Sequence, residues 1–268
     1  MAEPLVCTPK RLPKPQQYAA ALKAIEVNPM NHAPVERLAG LGFSMAPRHD
    51  YIAALTAKYW KTNGVRLTVS FMDNPSQALR RRILQHMNAW SKTGDIRFVE
   101  TKGQGQVRIA REAGQDGGYW SYLGTDVLLI DPNRQTMNLE GFTMQTPDSE
   151  FYRVVRHETG HTLGFPHEHM RKDLVAKIDP KKAIDYFGAT QGWTEDEVRH
   201  QVLTPLEEAS LIGTAASDQN SIMCYQIPGA LTKNGQPILG GLDIDEIDYA
   251  FVGKLYPKKA KPRPKAAA

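Results

Sequence analysis

The chain has 268 residues, 41% of them hydrophobic and 23% charged, and a formal net charge of +4. That length is ample for a buried core, and no apolar run approaches the roughly 20 residues a helical membrane span requires. Lys258, Lys259, Lys261, Arg263 and Lys265 carry more positive charge than the whole net value, so the body is near neutral, without the basic stripe or aromatic platform of a nucleic-acid binder.

Two cysteines, Cys7 and Cys224, lie far apart in sequence and supply no disulfide framework, which fits a reducing compartment. Residues 1–15 carry prolines and charges where a Sec-type signal needs a continuous apolar stretch. The expected location is therefore cytoplasmic, or outside by a non-Sec route.

Residues 1–62 are Pro-punctuated and are expected to form an N-terminal extension, with helices over 16–27 and 50–60. Val65, Leu67, Val69 and Phe71 alternate with polar residues, the period of a half-buried strand. Asn74 and Pro75 then read as the cap and first turn of a helix that places Leu79, Ile83, Met87 and Trp90 on one face up to Gly94. Strands are expected over 96–100, 107–111 and 127–130, between Gly-rich turns. A helix beginning near Asp148 or Ser149 turns Phe151, Val154, Val155, Thr159 and Thr162 to the core and ends at Gly164. Short helices follow over 179–188 and 194–203, the second opened by a Thr194/Glu197 capping box. A last helix over 243–255 presents Ile244, Ile247, Phe251 and Leu255 on one face. The reading is α+β, a mixed sheet with helices against it.

The segment His157-Glu158-Thr159-Gly160-His161 sets two imidazoles four residues apart, on one helix face, where both reach a single ion. Gly164 ends the helix through positive φ, and the chain can turn back so that His167 supplies a third nitrogen from a loop. Three protein ligands leave one position open, the catalytic rather than the closed structural pattern for zinc. Water on such an ion becomes a nucleophile at neutral pH, and Glu158, next to the first ligand, is placed to act as general base. From this composition, three His, one Glu and one Gly at these offsets arise by chance in on the order of 10⁻⁵ chains of this length.

His-Glu-x-x-His-x-x-Gly-x-x-His followed by a Met-turn is the metzincin signature, and HETGHTLGFPHEH with Phe165 and Glu168 resembles the astacin branch. Ser221-Ile222-Met223-Cys224-Tyr225 is similar to that family's Met-turn, residues 118–124 to the stretch before its edge strand, and residues 242–256 to its C-terminal helix. The resemblance implies a two-lobed zinc endopeptidase with a catalytic domain at 63–257, divided into an upper lobe at 63–167 and a lower lobe at 168–257. A disordered basic tail is expected at 258–268. It further implies that one Zn2+ is held by His157, His161 and His167, that Met223 floors the metal, and that Tyr225 is a mobile ligand whose hydroxyl turns to the oxyanion. A packing tyrosine is the plainer alternative for Tyr225. A protein or peptide substrate would lie extended along the edge strand, within about 118–130, with monomer as the default state. A catalytically silent binding protein of the same fold is the rival reading.

The chain departs from the family in having Tyr119 and Cys224 where cysteine and histidine are common. Cys224 reads as a buried apolar residue, with metal ligation the alternative. Glu168 pairs with a freed N-terminus in secreted relatives; a local salt bridge to Arg171 or Lys172 is the other possibility. Some related proteases block their zinc with a pro-segment thiolate, so residues 1 to about 60 are a candidate inhibitory segment with Cys7 on the metal, against a free thiol on a mobile end. His32, His49, His86, His169 and His200 read as surface or capping residues, with His169 a weak candidate for a place behind the ligands. Asp173, Asp179, Asp243, Asp245 and Asp248 read as residues of helix starts and exposed faces rather than calcium ligands.

Overall fold

Burial along Val65–Phe71 (β1) alternates as its pattern predicts, with Val65, Leu67 and Val69 inside and Arg66 and Thr68 outside. In the computed structural model, which describes residues 7, 8, 10–33, 56–206 and 217–259, β1 is a central strand of a five-stranded sheet. It pairs in parallel with Ile96–Glu100 (β2) and with Val107–Ala110 (β3). Beyond β3 comes Met137–Leu139 (β5), again parallel, and then Tyr119–Ser121 (β4), antiparallel and at the sheet's edge. The order β2-β1-β3-β5-β4 makes the sheet mixed.

Several elements depart from the sequence expectation for local reasons. Asn74 takes a left-handed φ of 47° in a turn, and Ser76 instead caps the helix Gln77–Met87 (α2), its hydroxyl accepting from the Leu79 amide at 3.3 Å. Residues 127–129 of the strand expected at 127–130 belong instead to a 3-10 turn, Gly124–Leu129, where Gly124 at φ 48° packs so closely on the Lys58 carbonyl that a Cβ would collide with it. β5 lacks the alternating pattern of a half-buried strand because it is buried on both faces and includes Asn138, whose side chain bonds to the backbone of Glu112 and Gly118. Residues 56–60 are not helical, while 50–55 lie outside the described residues. The helix Lys14–Val27 (α1) forms close to its predicted bounds.

The helix that carries the motif, residues 148–162 (α3), is α-helical at both ends, with a π-helical stretch at Phe151–Val155 one turn before the first ligand. Such wide turns are frequent at functional sites. Phe151 in this stretch and Phe142 packed against it are fully buried with ring centroids 5.1 Å apart, each contributing roughly 1.5–3 kcal/mol. Trp60 and Tyr256 bind the carbonyls that the end of α3 leaves unpaired: the Trp60 indole donates to Thr162 and the Tyr256 hydroxyl to Leu163. Tyr59 and Trp60 belong to the same core as the sheet and α3.

A second cluster forms the lower part, with Leu174, Phe187, Val198, Val202, Ile227 and Ile238 at its centre. It is built from Pro180–Gln191 (α4), capped by Asp179, and from Glu195–Val198 (α5), opened by the Thr194/Glu197 capping box and continued by a π turn at Arg199–Leu203. The last helix, Glu246–Leu255 (α6), starts later than expected, at the Asp245 cap, and leaves Ile247 48% exposed while Val252 takes the buried position. In the basic tail, Lys258 donates to the Lys92 carbonyl at 3.0 Å, and 260–268 lie outside the described residues. Among the described residues no helix is long and apolar enough to cross a membrane.

Candidate metal centre

His157 and His161 project from one face of α3. Gly164, at φ 100°, then stops the helix, with the Gly164 amide on His161 and the Phe165 amide on Gly160. The reversed chain brings His167 back, so that its Nε2 stands 3.1 Å from Nε2 of His157 and 3.0 Å from Nε2 of His161. The other ring nitrogens of His157 and His161 fix how these two rings face the third. Nδ1 of His157 lies 2.6 Å from the Ile222 carbonyl and Nδ1 of His161 2.8 Å from the Phe165 carbonyl. Since a carbonyl only accepts, both Nδ1 atoms carry the hydrogen and both Nε2 atoms present lone pairs.

Two lone pairs facing a third ring nitrogen at this range make a donor set suited to a cation. Tetrahedral ligands about 2.05 Å from zinc stand about 3.3 Å apart, near the spacing observed. Burial holds the His157 imidazole down to about 4 and drives His161 and His167 well below the ordinary value, so all three are neutral, metal-binding bases at pH 7. The residues present fit the metal.

Glu158 follows the first ligand and is buried, its Oε2 without a partner among the described residues. Burial pushes its carboxyl up to about 8, against the opposing influence of Cys7 and Arg153. Beneath the ligands, Met223 packs so tightly under α3 that a methyl group at position 160 would collide with its Sδ, which is why glycine stands there. The turn holding Met223 is fastened from α6: Asp248 accepts from the Ser221 hydroxyl at 2.7 Å and from the Ile222 amide at 3.0 Å.

The fourth donor near the histidines comes from the N-terminus. Sγ of Cys7 and the three imidazole nitrogens all lie within 4.8 Å of one another, and Cys7 and Glu158 line the same cavity. Burial, then Glu158, raises the thiol well above its ordinary value. The segment is bridged in parallel to the edge strand at Cys7–Tyr119 and Lys10–Tyr122, and the Thr8 amide donates to the Tyr119 carbonyl at 2.9 Å. A cavity of about 260 Å³ opens beside Cys7 and Glu158, lined by Tyr119, Arg153, Phe187, Gln226 and Pro228.

The family model for the astacin peptidases matches residues 52–234 of the chain. The chain belongs to the astacin family. It is 28% identical over 193 residues to zinc metalloproteinase nas-27 of Caenorhabditis elegans, covering 69% of this chain and 38% of that protein. Matrix metalloproteinase-A of C. elegans is 24% identical over 142 residues, covering 44% and 27%. The chain thus spans well under half of these curated relatives. Among solved structures, myroilysin superposes with a TM-score of 0.70 at 31% identity, covering 76% of this chain and 97% of that one. The fold is shared with high choriolytic enzyme 1, a hatching enzyme zinc-protease from Oryzias latipes, at a TM-score of 0.51 and 19% identity over 75% of this chain and 96% of that one.

In this astacin the metal for which the three imidazoles are suited is zinc. The Tyr225 hydroxyl donates to the Cys7 carbonyl. Cys224 turns into the lower cluster, where burial raises its thiol to about 12, and it is not among the converging donors. Glu168 accepts from the Asp218 amide at 3.0 Å and lies 3.8 Å from Arg171; burial holds its carboxyl up to about 7.

Two histidines read as surface or capping residues are in fact buried. His86 packs on Phe151 at 5.2 Å and His169 is enclosed against Tyr225. His49 lies outside the described residues. Asp248, expected only at a helix start or on an exposed face, has a further role. It does sit in the Asp245 capping box, but its carboxylate reaches the Met-turn as well, and no local pattern signals that longer contact.

Proposed function

We propose that the chain is a zinc-dependent endopeptidase with Glu158 as general base. The observation that carries this reading is the convergence of three neutral imidazoles beside a buried, partly unpartnered carboxylate. His157, His161 and His167 would hold the metal, which when bound supplies a Lewis acid that polarises a peptide carbonyl and makes water nucleophilic near neutral pH. Glu158 has a proton affinity raised towards neutrality by burial, which suits it to take a proton from water and deliver it to the departing amine nitrogen. Tyr225, whose hydroxyl already meets a backbone carbonyl at this place, can donate to the scissile oxygen. The Tyr119 carbonyl, occupied here by the Thr8 amide, is a docking point for an extended peptide on the β4 edge.

The same contacts support latency. Cys7 lies beside both the imidazole trio and Glu158, so one side chain would obstruct access to a bound metal and to the base together. The extension at 1–62 acts in this reading as an inhibitory segment and not as a passive end.

Casein hydrolysis by the zinc-loaded full chain tests both parts. Cys7→Ala is expected to raise activity; Glu158→Ala, or chelation, is expected to abolish it. Equal activity with and without Cys7 overturns latency, and hydrolysis that survives Glu158→Ala overturns the general-base assignment. Loss of all hydrolysis in a metal-loaded Cys7→Ala chain would favour the silent binding protein, against which an intact Glu158 argues.

A further inference from the structure

The Tyr225 ring contacts two imidazoles that also contact each other at 5.0 Å, and its relations to them differ. It meets His167 at 4.3 Å with the planes tilted by 55°, whereas it stacks on His169 at 4.0 Å with the planes only 16° apart. His169 is fully buried, and its Nε2 stands 3.0 Å from the Gln201 carbonyl. A carbonyl acceptor requires that this nitrogen carry the hydrogen, so the bond fixes both the tautomer and the plane of the ring. Gln201 belongs to the π turn Arg199–Leu203, which packs on the short turn Glu168–Met170 carrying His169. The face under Tyr225 is therefore anchored at two points on separate segments.

A phenol has two rotatable side-chain bonds, and a flat neighbour that cannot rotate removes tilting while leaving sliding within the plane. We propose that His169 is a positioning residue that sets where the Tyr225 hydroxyl stands over the metal centre. A benzene ring at position 169 could offer a face, but without the Nε2–Gln201 bond that face would be free to turn. The role rests on the function proposed above to this extent: the hydroxyl so placed meets the Cys7 carbonyl in the latent chain and the substrate oxygen in the open one. His169 itself touches neither.

The test uses the zinc-loaded full chain and reads iodoacetamide labelling of Cys7 and Cys224 separately, by mass spectrometry of their peptides. With the stack lost in His169→Ala, Cys7 is expected to label about five-fold faster, with Cys224 unchanged. Tyr225→Phe, which removes the hydroxyl, is expected to act to a similar extent, and the double variant to add nothing further. In a Cys7→Ala background, His169→Ala is expected to lower kcat about five-fold at nearly constant KM, with His169→Phe recovering part of the loss. Wild-type labelling of Cys7 in His169→Ala overturns the proposal, as does a parallel rise at Cys224 or full additivity with Tyr225→Phe. Labelling needs no turnover, so a chain that hydrolyses nothing refutes the proposed function without deciding the role of His169.

Discussion

Nδ1 of His157 donates to the carbonyl oxygen of Ile222 over 2.6 Å, and the amide of the same Ile222 donates to Asp248 at 3.0 Å. A metal-facing imidazole is thereby oriented through one residue by a carboxylate on α6, which also holds the Ser221 hydroxyl at 2.7 Å. Removing the carboxylate leaves buried donors unpaired. Asp248→Ala is expected to cost about 2 kcal/mol in urea unfolding. It should also weaken zinc binding by about ten-fold in chelator competition.

Acid should affect this anchor in a definite direction. Burial raises the Asp248 carboxyl to about 6, with its hydrogen bonds from Ser221 and Ile222 acting the other way; in an unfolded chain the group titrates near about 3.9. Between those values the folded state binds the extra proton. The stability contribution is therefore fully present below about pH 4 and is lost as pH rises through about 6. Urea midpoints of chelator-treated wild type, relative to Asp248→Asn, should fall between pH 4 and pH 7. A difference that stays flat, or rises, contradicts the assignment.

How much of this was legible beforehand depended on how local each determinant is. The three histidines, Glu158, the Gly164 stop and the alternation of β1 each reside in a few consecutive residues, and the structure brings them together as the spacing requires. The capping box at Thr194 and Glu197 was readable for the same reason. Burial of His169 was not, because it depends on Gln201 and Tyr225, 32 and 56 positions away along the chain. The 3-10 turn at Gly124 is decided by contact with Lys58, and β5 by a buried Asn138 that disguises a core strand as a polar one. Residues that act across the chain have no signature within a window.

Gly160 offers a test whose sign can be reversed. Alanine is the better helix former by about 1 kcal/mol, yet its methyl would strike Met223 Sδ and press on Trp90. Gly160→Ala is expected to destabilise by about 1–3 kcal/mol in thermal or urea unfolding. In a Met223→Ala background the same change should become neutral or stabilising, since the obstructing sulfur is gone.

Lys58 and Asp126 form an ion pair at 3.2 Å with side chains 9% and 13% exposed. Breaking a buried pair from one side strands a charge. Asp126→Leu or Lys58→Met alone is expected to cost about 3–5 kcal/mol by denaturant titration, while the double substitution should lie near wild type. Two single losses that simply add would show the pair to be uncoupled.

The phenolic oxygen of Tyr256 accepts from the Trp60 amide at 3.1 Å and donates to the Leu163 carbonyl at 2.7 Å. One atom thus knots together stretches 60, 163 and 256, and the polypeptide can be shortened or fused to a tag behind Pro257 without disturbing that knot. Stopping at Leu255 would unfasten the tip of the ligand-bearing helix from a distance of about ninety positions along the chain, a span set by the 93-residue separation of that contact. Engineering at the carboxyl end is therefore engineering of the metal site once it passes that tyrosine.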